Sequence, residues 1–501
     1  MKKIPILENL TLDMFQKIAL LFIFTFTLSA TAQEKKNTKP NVLFIAADDL
    51  ANVFGKTRPH GLKTPNFDRL MKRGVFFERA YCQIPLCNPS RASVMTGKRP
   101  DAIDVFDLER HFRESAPNAV TLPQLFQKHD YSVARVGKIY HYNVPKGIGT
   151  DGLDDAPSWQ KVVNPKGRDV DDEPLIFNAE PHRAISGAMS WLASAGEDGE
   201  QTDGMIANEG VRLLEENAAA GDPFFLAVGF FRPHTPYVAP AKYFDQYPLE
   251  DIQLTKVPED DRDDIPAPAI PHNIPLKNYG LGDEILTPAL RSYLATVSFL
   301  DANVGLLLDA LDRLKLSDNT ILVFWSDHGY HLGEHFLWQK RTLFDPSARA
   351  PLFISDPRIP AHNGATCQRV VEFIDMYPTI ADLAGLPVSD DLKLDGRSLK
   401  PLLENPETEW DGVGITQVLR PMEGGARHVM GRSISTERWR YIDWNGGKAG
   451  HELYDRDNDP DEHTNLADKP EHAALIAGLK KQLNEKASSE VPTAPFNTKK
   501  L

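Results

Sequence analysis

Two pairs of side chains in this sequence have the chemistry of cation ligands: Asp48-Asp49 and Asp327-His328. Carboxylate oxygens are hard ligands that favour Ca²⁺ or Mg²⁺, whereas an added imidazole leaves room for Mn²⁺ or Zn²⁺. A single aspartate of this kind is more often a helix cap or a turn residue, but two pairs together favour a metal site. Because three neighbouring carboxylates repel one another, we expect positive side chains to lie among them.

Positive and imidazole side chains are available to balance that charge and to bind an anionic substrate. They are Arg91, Lys138, His141, His234 and Lys340. A lone lysine is usually solvated and a lone histidine is usually structural. A set of five beside a divalent cation, however, suits an oxyanion such as sulfate or phosphate, because it neutralises the charge that builds up in the transition state. This chemistry does not by itself distinguish sulfur from phosphorus.

A third signal is the run Cys87-Asn88-Pro89-Ser90-Arg91. A buried cysteine at the start of a helix would explain the proline, whose missing N–H costs nothing in the first helical turn. That interpretation leaves the order of the serine and the arginine unexplained. Because a five-residue match can arise by chance, its meaning depends on the rest of the chain.

Short apolar segments separated by helical patterns position most of these side chains. The apolar segments are 41–47, 131–137, 224–230 and 320–326, and the helical patterns include 210–218 and 289–314. This alternation predicts a mostly parallel sheet that is covered by helices on both faces. In such folds the ligand binds outside the carboxyl ends of the strands. The side chains that follow the four segments are Asp48, Asp49, Lys138, His141, His234, Asp327 and His328.

The pattern changes near residue 400. Segments 431–436, 439–444 and 452–455 resemble antiparallel strands, and a last helix follows them. The sequence therefore predicts an α/β fold with a large, mostly parallel central sheet sandwiched by helices and a smaller C-terminal antiparallel-sheet subdomain. The predicted division is a main domain at 33–400 and a C-terminal subdomain with a terminal helix at 401–501.

Composition excludes several classes of protein. With 501 residues and 41% hydrophobic content, the chain can bury one large core and one smaller core. Its formal net charge of −14 argues against a nucleic-acid partner, because phosphate contacts need a basic surface. The three cysteines, Cys82, Cys87 and Cys367, are too few for a disulfide framework. Cys82 and Cys367 could pair, but we favour two plain buried thiols.

Residues 1–32 have the features of a signal peptide. Lysines precede the apolar run 18–28, and Ala30-Thr31-Ala32 offers a small-x-small cleavage site. The run is shorter than the roughly 20 residues that span a membrane. We therefore expect an exported protein, periplasmic or secreted, with no membrane anchor after cleavage.

Taken together, the motifs resemble those of type I sulfatases of the alkaline-phosphatase-like superfamily, and most of all the iduronate-2-sulfatase branch. The resemblance covers roughly residues 38–470. Its motifs are 41–49, 87–91, 136–141, 232–237, 326–329, 332–335 and 338–340. The Asp327-His328 pair, where many sulfatases carry Asp-Asn, is typical of that branch.

The resemblance implies a role for each of these residues. Cys87 would be oxidised by a formylglycine-generating enzyme, and the hydrated aldehyde would attack sulfur. Asp48, Asp49, Asp327 and His328 would hold one Ca²⁺ beside the modified Cys87. His234 and Lys340 would bind the sulfate and assist the leaving group, His141 would act as a base, and Arg91 and Lys138 would steady the nucleophile.

The resemblance also implies a sulfated saccharide as substrate, with a preference for uronate-containing polymers such as ulvan or a glycosaminoglycan. Variable loops are expected to bind the sugar, and the candidates are 99–112, 151–183, 258–281 and Tyr330-His331, with Trp159 and Trp191 either stacking on sugar or packed in the core. Two alternatives keep the same fold: a phosphatase or phosphodiesterase, and a non-catalytic binder of sulfated glycans. The third alternative is an exported α/β protein in which the Cys87–Arg91 motif is a coincidence.

Overall fold

A mixed sheet of eight strands forms the centre of the protein in a computed structural model that describes residues 39–55, 58–59, 61–187, 189–272, 274–422 and 427–492. The predicted signal peptide, 1–32, lies outside these residues. The strands are β1 (Asn41–Asp48), β2 (Val75–Tyr81), β3 (Ser132–Gly137), β4 (Lys161–Val163), β5 (Phe177–Asn178), β6 (Ser190–Ser194), β7 (Phe224–Pro233), β8 (Tyr237–Pro240), β9 (Thr320–Ser326), β10 (His331–Leu332), β11 (Trp338–Gln339), β12 (Leu352–Ser355), β13 (Ala365–Glu372), β14 (Gly414–Met422), β15 (Arg427–Ser435), β16 (Trp439–Trp444) and β17 (His451–Asp455).

Helices cover both faces of this sheet. The α-helices are α1 (Pro65–Met71), α2 (Cys87–Thr96), α3 (Pro100–Ile103), α4 (Leu122–Gln127), α5 (Arg168–Asp171), α6 (Thr202–Ala220), α7 (Ala241–Phe244), α8 (Asp283–Arg313), α9 (Asp345–Ala348), α10 (Met376–Leu383), α11 (Lys400–Glu404) and α12 (Ala473–Lys486). The predicted helices 210–218 and 289–314 correspond to α6 and α8, and each begins several residues earlier than predicted.

The strand order in the central sheet is β13-β2-β12-β9-β1-β7-β3-β4. Strand β12 runs antiparallel to its neighbours β2 and β9, and the other neighbours run parallel. The four predicted strands β9, β1, β7 and β3 lie side by side in the middle of the sheet. This order confirms a mostly parallel sheet, and it places the carboxyl ends of those four strands at one edge.

The apolar sequence of β1 follows from burial on both faces. Leu43, Ile45 and Ala47 pack into one core, together with α6 and α8. Val42 and Phe44 pack into a second core on the other face, together with α2, α4 and α10. Because neighbouring residues of a strand point to opposite faces, a strand between two helical layers needs apolar residues throughout.

Helix α8 is the longest helix in the described residues and is apolar enough to cross a membrane by composition alone. However, 83% of its most apolar window is buried inside the protein. Its apolar residues are therefore covered by the first core, as expected for the central helix of a large α/β domain.

A four-stranded antiparallel sheet, ordered β14-β15-β16-β17, follows the central domain. Its apolar face packs against α12 through Ile434, Leu453 and Leu483. Arg440 of β16 connects this sheet to the central domain, because its Nη2 lies 2.6 Å from Asp345 Oδ1. The structure confirms the predicted C-terminal sheet and adds β14, which the sequence pattern did not indicate. The boundary at residue 400 stays a prediction.

The cysteines are all buried and unpaired. Cys82 and Cys367 both belong to the second core, where they pack as small apolar side chains. The structure therefore confirms buried thiols rather than a disulfide between them.

Candidate active site

The side chains predicted from the strand ends meet at one edge of the central sheet. Asp48 and Asp49 end β1, Lys138 and His141 follow β3, His234 follows β7, and Asp327 and His328 follow β9. Cys87 and Arg91 come from α2, and Lys340 follows β11. All of these residues are buried except Lys340, which is intermediate with its side chain 11% exposed. The structure thus brings every predicted site residue into one buried cluster.

A backbone irregularity at the end of β1 brings two successive carboxylates to the same place. In a regular strand Asp48 and Asp49 would point to opposite faces. Here the pairing of β1 with β7 shifts register between Ala46 and Asp48, and Asp49 adopts φ 64°. A left-handed conformation costs a non-glycine residue about 1–2 kcal/mol. Carboxylate oxygens of Asp48, Asp49 and Asp327 consequently lie within 4.8 Å of one another.

Arg91 holds two of these carboxylates in place. Its Nε donates to Asp327 Oδ2 at 2.9 Å, and its Nη2 lies 3.3 Å from Asp48 Oδ1. The remaining N–H groups donate to the carbonyl oxygens of Ala47, Lys138 and Ile139 at 2.8–3.1 Å. All five guanidinium N–H groups are therefore used within the protein. This geometry makes Arg91 a positioning group for the carboxylates, and a direct contact with the nucleophile stays a prediction.

Two lysines add the further positive charge that was expected. Lys138 Nζ donates to Asp48 Oδ2, and Lys340 Nζ donates to Asp49 Oδ1. Burial opposes ionisation of Asp48, but the charges of Lys138, Arg91 and Lys340 outweigh it and hold the pKa of this carboxyl well below its usual range.

Asp49 differs from its neighbour because its charge is less well balanced. Burial, together with the charges of Asp48 and Asp327, raises the pKa of Asp49 to about 7 despite the contact with Lys340. Its Oδ2 is buried and accepts no hydrogen bond in the described residues. A buried carboxylate oxygen without a donor is costly, so this atom needs a further positive partner.

His328 presents a lone pair to the same point. Its Nδ1 lies 2.9 Å from the carbonyl oxygen of Gly329, which can only accept, so Nδ1 carries the proton. Nε2 then faces Asp49 Oδ1 at 3.4 Å and Cys87 Sγ at 3.5 Å. Burial lowers the pKa of His328 to about 4. The imidazole is therefore neutral at physiological pH, as a metal ligand must be.

The two other histidines are also neutral. Burial, followed by the charges of nearby lysines, lowers the pKa of both His141 and His234 well below the usual range. His234 Nδ1 lies 2.5 Å from the carbonyl oxygen of Thr235, which leaves Nε2 as the atom that can take up a proton. Neither ring nitrogen of His141 has a hydrogen-bond partner in the described residues. Both side chains can therefore accept a proton from a bound group.

Cys87 is the first residue of α2, and its side chain lies beside Lys340. We call the three neighbouring carboxylates, Asp48, Asp49 and Asp327, the acidic cluster. Cys87 Sγ accepts a hydrogen bond from Lys340 Nζ at 3.3 Å. Burial raises the pKa of the Cys87 thiol, so the unmodified side chain is a neutral thiol and a poor nucleophile. The N-terminus of the ten-residue helix favours negative charge at this position.

The donor set fits a hard divalent cation. It consists of buried carboxylates of Asp48, Asp49 and Asp327 and the unprotonated Nε2 of His328, with Cys87 Sγ close by. Asp49 Oδ2 supports this assignment independently, because it is buried without a hydrogen-bond donor in the described residues and a bound cation would compensate its charge. Oxygen-rich sites of this kind favour Ca²⁺ or Mg²⁺, and one imidazole does not exclude either.

Positive side chains that sequence reasoning did not single out lie near Cys87. Arg341 directly follows Lys340, whose Nζ lies 3.3 Å from Cys87 Sγ. Arg420 of β14 donates to the carbonyl oxygen of Arg341 at 2.6 Å. The basic pair at 340–341 was visible in the sequence. The approach of Arg420 was not, because 79 residues separate the two arginines.

Part of the predicted sugar-binding surface is instead interior. Tyr330 and His331 are 1% and 0% exposed and form hydrogen bonds with Tyr237 and Thr342. His331 is therefore interior, whereas Tyr330 also lines the cavity described below, and its contact with a sugar stays a prediction. Trp159 is 8% exposed and packs in the second core, which supports its core role.

A cavity of about 600 Å³ lies apart from this cluster. It is lined in part by Glu78, Thr255, Tyr330 and Arg349, and it contains none of the residues of the buried cluster. Size alone therefore does not identify the reactive site in this protein. The concentration of buried charge around Cys87 does.

Comparison with known families gives two matches. The family model described as sulfatase matches residues 40–386. A second model, described as the C-terminal part of N-sulphoglucosamine sulphohydrolase, matches residues 333–489. Together the matches include every residue of the buried cluster and the C-terminal sheet.

Individual proteins show the same similarity over nearly the whole chain. The chain is 33% identical to a sulfatase of Formosa agariphila, over 90% of this chain and 89% of that protein. It is 30% identical to iduronate 2-sulfatase of Mus musculus, over 92% of this chain and 97% of that protein. It is 28% identical to an ulvan-active sulfatase of Formosa agariphila, over 97% of this chain and 89% of that protein.

Solved structures show the same fold. The phosphonate monoester hydrolase of Agrobacterium radiobacter superposes with a TM-score of 0.72, covering 89% of this chain and 95% of its own. Its sequence identity is 24%. This likeness supports the α/β architecture with its C-terminal antiparallel sheet.

Proposed function

The chain belongs to the sulfatase family of the alkaline-phosphatase-like superfamily and is a sulfuric ester hydrolase, and from this premise we propose that it is an exported enzyme that removes sulfate groups from a sulfated polysaccharide or its oligosaccharides. The observation that carries the proposal is the position of Cys87. Its sulfur lies within 3.5 Å of both Lys340 Nζ and His328 Nε2, beside three buried carboxylates.

Cys87 has to be modified for this chemistry, because the buried thiol is neutral. We propose that a formylglycine-generating enzyme oxidises it, as the Cys-x-Pro-Ser-Arg run suggests. The resulting aldehyde, when hydrated, supplies an oxygen nucleophile at the N-terminus of α2. Arg91 supports this position indirectly by holding Asp48 and Asp327.

A Ca²⁺ ion held by Asp48, Asp49, Asp327 and His328 would polarise the sulfate and lower the cost of its negative charge. The protein residues supply the rest. Lys340 stays protonated, because its contact with Asp49 and the charges of Asp48 and Asp327 raise its pKa against the effect of burial. Its Nζ can therefore donate a hydrogen bond to a sulfate oxygen placed beside residue 87.

The two neutral histidines can move protons on either side of that sulfate. His234 Nε2 can take up a proton from solvent when the anionic sulfate ester binds and give it to the leaving sugar oxygen as a general acid. His141 has both ring nitrogens free of hydrogen bonds in the described residues and can accept a proton from the group at position 87. Their opposite roles require opposite protonation states, which predicts a bell-shaped dependence of rate on pH.

Similarity supports a saccharide substrate. Two of the relatives are named iduronate 2-sulfatase and ulvan-active sulfatase. We propose a uronate-containing sulfated polysaccharide, or its oligosaccharides, as the substrate class. Export through the predicted signal peptide at 1–32 is consistent with a polymer that is degraded outside the cytoplasm.

The main alternative is hydrolysis of a phosphate or phosphonate ester. The fold is shared with a phosphonate monoester hydrolase, and the cationic set does not distinguish sulfur from phosphorus. The matched sulfatase family and the Cys87–Arg91 run favour sulfate. A non-catalytic glycan binder is disfavoured, because every predicted catalytic position is filled and lies in the cluster.

The direct test is release of inorganic sulfate and phosphate, measured by ion chromatography. The protein is co-expressed with a formylglycine-generating enzyme and assayed on sulfated polysaccharides, their oligosaccharides and aryl esters of both acids. We expect sulfate from one polymer class, and at least a 1000-fold loss in Cys87→Ala, because the nucleophile is removed. Cys87→Ser should release at most one equivalent.

Phosphate release without sulfate release would show that the fold is right and the proposed reaction is wrong. Sustained turnover by a homogeneous Cys87→Ser preparation would exclude the role given to residue 87. Circular dichroism spectra that match the wild type would show that each variant remains folded.

A further inference from the structure

Arg420 is a buried arginine without a carboxylate partner among the residues that the structure describes. The described part of the chain has seven buried arginines, and six pair with an acidic side chain: Arg91, Arg99, Arg135, Arg232, Arg432 and Arg440. Arg420 is 1% exposed and donates only to the carbonyl oxygens of Pro268 and Arg341. Its charge is therefore solvated by neutral groups alone.

Arg341, half-buried and next to it, is also unpaired. Its side chain forms no hydrogen bond or ion pair with any residue that the structure describes, and its backbone adopts φ 79°. Burial lowers the pKa of Arg341 to about 10, and burial together with the charge of Arg341 lowers the pKa of Arg420 to about 9. A strained backbone that carries an unpaired charge is a feature of functional sites.

Two other polar groups interact electrostatically with the arginines, and one of them, Tyr279, also interacts with Glu180, which pairs with Arg183. The hydroxyl of Tyr279, which is 9% exposed, has no hydrogen-bond partner in the described residues and influences the charge of Arg341. His272 lies near both arginines, because desolvation and then their charges lower its pKa to about 4. We call Arg341, Arg420, Tyr279 and His272 the arginine cluster.

The arginine cluster adjoins the reactive site. Arg341 follows Lys340, whose Nζ is 3.3 Å from Cys87 Sγ, and its charge is influenced by Cys87. The carboxylates of the acidic cluster already contact Arg91, Lys138 and Lys340, so they do not account for the extra positive charge. A net charge of −14 for the whole chain makes the local excess more significant.

We propose that the arginine cluster is a subsite for a second anionic group of the substrate, a carboxylate or a second sulfate, on the same sugar as the scissile ester or on its neighbour. This inference rests on the proposed function of the Cys87 site. The planar guanidinium fork binds either group through two parallel hydrogen bonds. The free Tyr279 hydroxyl adds another donor. The subsite selects substrates with two negative groups over neutral monosulfates.

The test uses three synthetic glycosides that differ in one group. The first is a neutral sugar with one sulfate, the second is its uronic acid, and the third is the neutral sugar with a second sulfate. We expect kcat/KM for at least one charged glycoside to exceed that for the neutral one by tenfold or more. Arg341→Gln should lower that value by about 10- to 100-fold and change the neutral substrate less than threefold.

Two further variants make the result specific. Arg341→Lys should recover part of the activity on the charged substrate, because it keeps the charge without the fork. Arg313→Gln is the matched control, since Arg313 is exposed and pairs with Glu215 on the surface. The glycoside whose kcat/KM responds to Arg341→Gln identifies the bound group as a carboxylate or a sulfate. An equal loss on all three glycosides, or no loss on either charged one, would overturn the proposal.

A binding measurement separates this proposal from the proposed reaction. Calorimetry on the unmodified Cys87 protein uses two glycosides that keep only the second group, a carboxylate or a sulfate, with the uncharged glycoside as reference. We expect one of them to bind at least tenfold more weakly to Arg341→Gln than to the wild type. If the matured enzyme releases no sulfate, the proposed function fails, and this measurement alone decides on the subsite.

Discussion

The acidic cluster around Arg91 and the arginine cluster around Arg420 are built in opposite ways. Around Arg91, each guanidinium N–H has a partner inside the protein, and two of those partners are carboxylates. Arg420 donates only to carbonyl oxygens, and the side chain of Arg341 has no acceptor in the described residues. Charge is compensated within the protein in the first region and is left uncompensated in the second.

This difference separates residues that hold the site from residues that await a ligand. Leaving a buried charge unpaired costs free energy, which a folded protein recovers only when something else supplies the missing charge. In the acidic cluster the remaining need is one cation, shown by Asp49 Oδ2. In the arginine cluster the need is an anion. The site as a whole thus has one place for each sign of charge.

The largest effect is expected from removing the compensated arginine. Arg91→Met leaves Asp48 and Asp327 buried with less positive charge, and breaking a buried pair of this kind costs about 3–5 kcal/mol. Urea unfolding followed by fluorescence measures the change. Arg313→Met, at the surface, is the control and should change the free energy of unfolding by less than about 0.5 kcal/mol. A loss below about 1 kcal/mol in Arg91→Met would show that this region is not held by Arg91.

Removing the cation also tests the acidic cluster, because the cation would balance the same carboxylates as Arg91. A ligand at 100 times its Kd stabilises the folded state by about 2.7 kcal/mol, so a chelator should lower the Tm measured in excess Ca²⁺. Asp327→Asn should abolish most of this difference, because it removes one of three carboxylates. An equal response to Ca²⁺ in wild type and Asp327→Asn would place the ion elsewhere.

A smaller effect of opposite sign is expected in the arginine cluster. Arg341→Met removes an unpaired charge and no hydrogen bond that the structure shows, so the free energy of unfolding should stay unchanged or rise by up to about 1 kcal/mol. The measurement is the same urea titration, without substrate or anions that bind guanidinium. A loss of more than about 1 kcal/mol would mean that Arg341 has a structural partner, and the contrast between the two regions would fail.

The smallest effect is a change in one titration. Desolvation and the charges of Arg341, Arg420 and His428 lower the pKa of His272 to about 4. Because the folded pKa is below the unfolded value, this histidine favours the folded state above pH 6.5, and that contribution is lost as the pH falls toward 4. Arg341→Gln should raise the pKa of His272 and reduce the loss. NMR of histidine-labelled protein, with the His272 signal assigned through His272→Gln, measures this pKa. An unchanged pKa of His272 in Arg341→Gln would show that Arg341 does not act on His272.

The sequence predicted the acidic cluster because its geometry follows from local rules. Parallel strands end at one edge, so Asp48, Lys138, His234 and Asp327 meet there once the four segments are identified. Short strands such as β12 were missed, because four residues in antiparallel pairing give little periodic signal.

The arginine cluster could not be predicted in the same way. Arg341, Arg420 and Tyr279 come from separate segments, and their proximity depends on the packing of β14 against the loop that follows β11. The most informative property of Arg341 and Arg420 is the absence of acidic partners in the described residues, and no sequence motif encodes an absence. The burial of His331 was not predicted for a related reason, because a polar residue after a strand can turn inward when it finds a partner such as Thr342.

The burial of α2 has a consequence for the order of events during biosynthesis. Every residue of this helix is buried, and Cys87 itself is 1% exposed. The proposed oxidation of Cys87 is therefore expected while the segment is still unfolded, because the folded protein does not expose the sulfur. Under this proposal a molecule that folds first keeps its thiol, and the fraction of active protein depends on whether modification or folding of the segment comes first. Slower folding of this segment would then raise the yield of active protein.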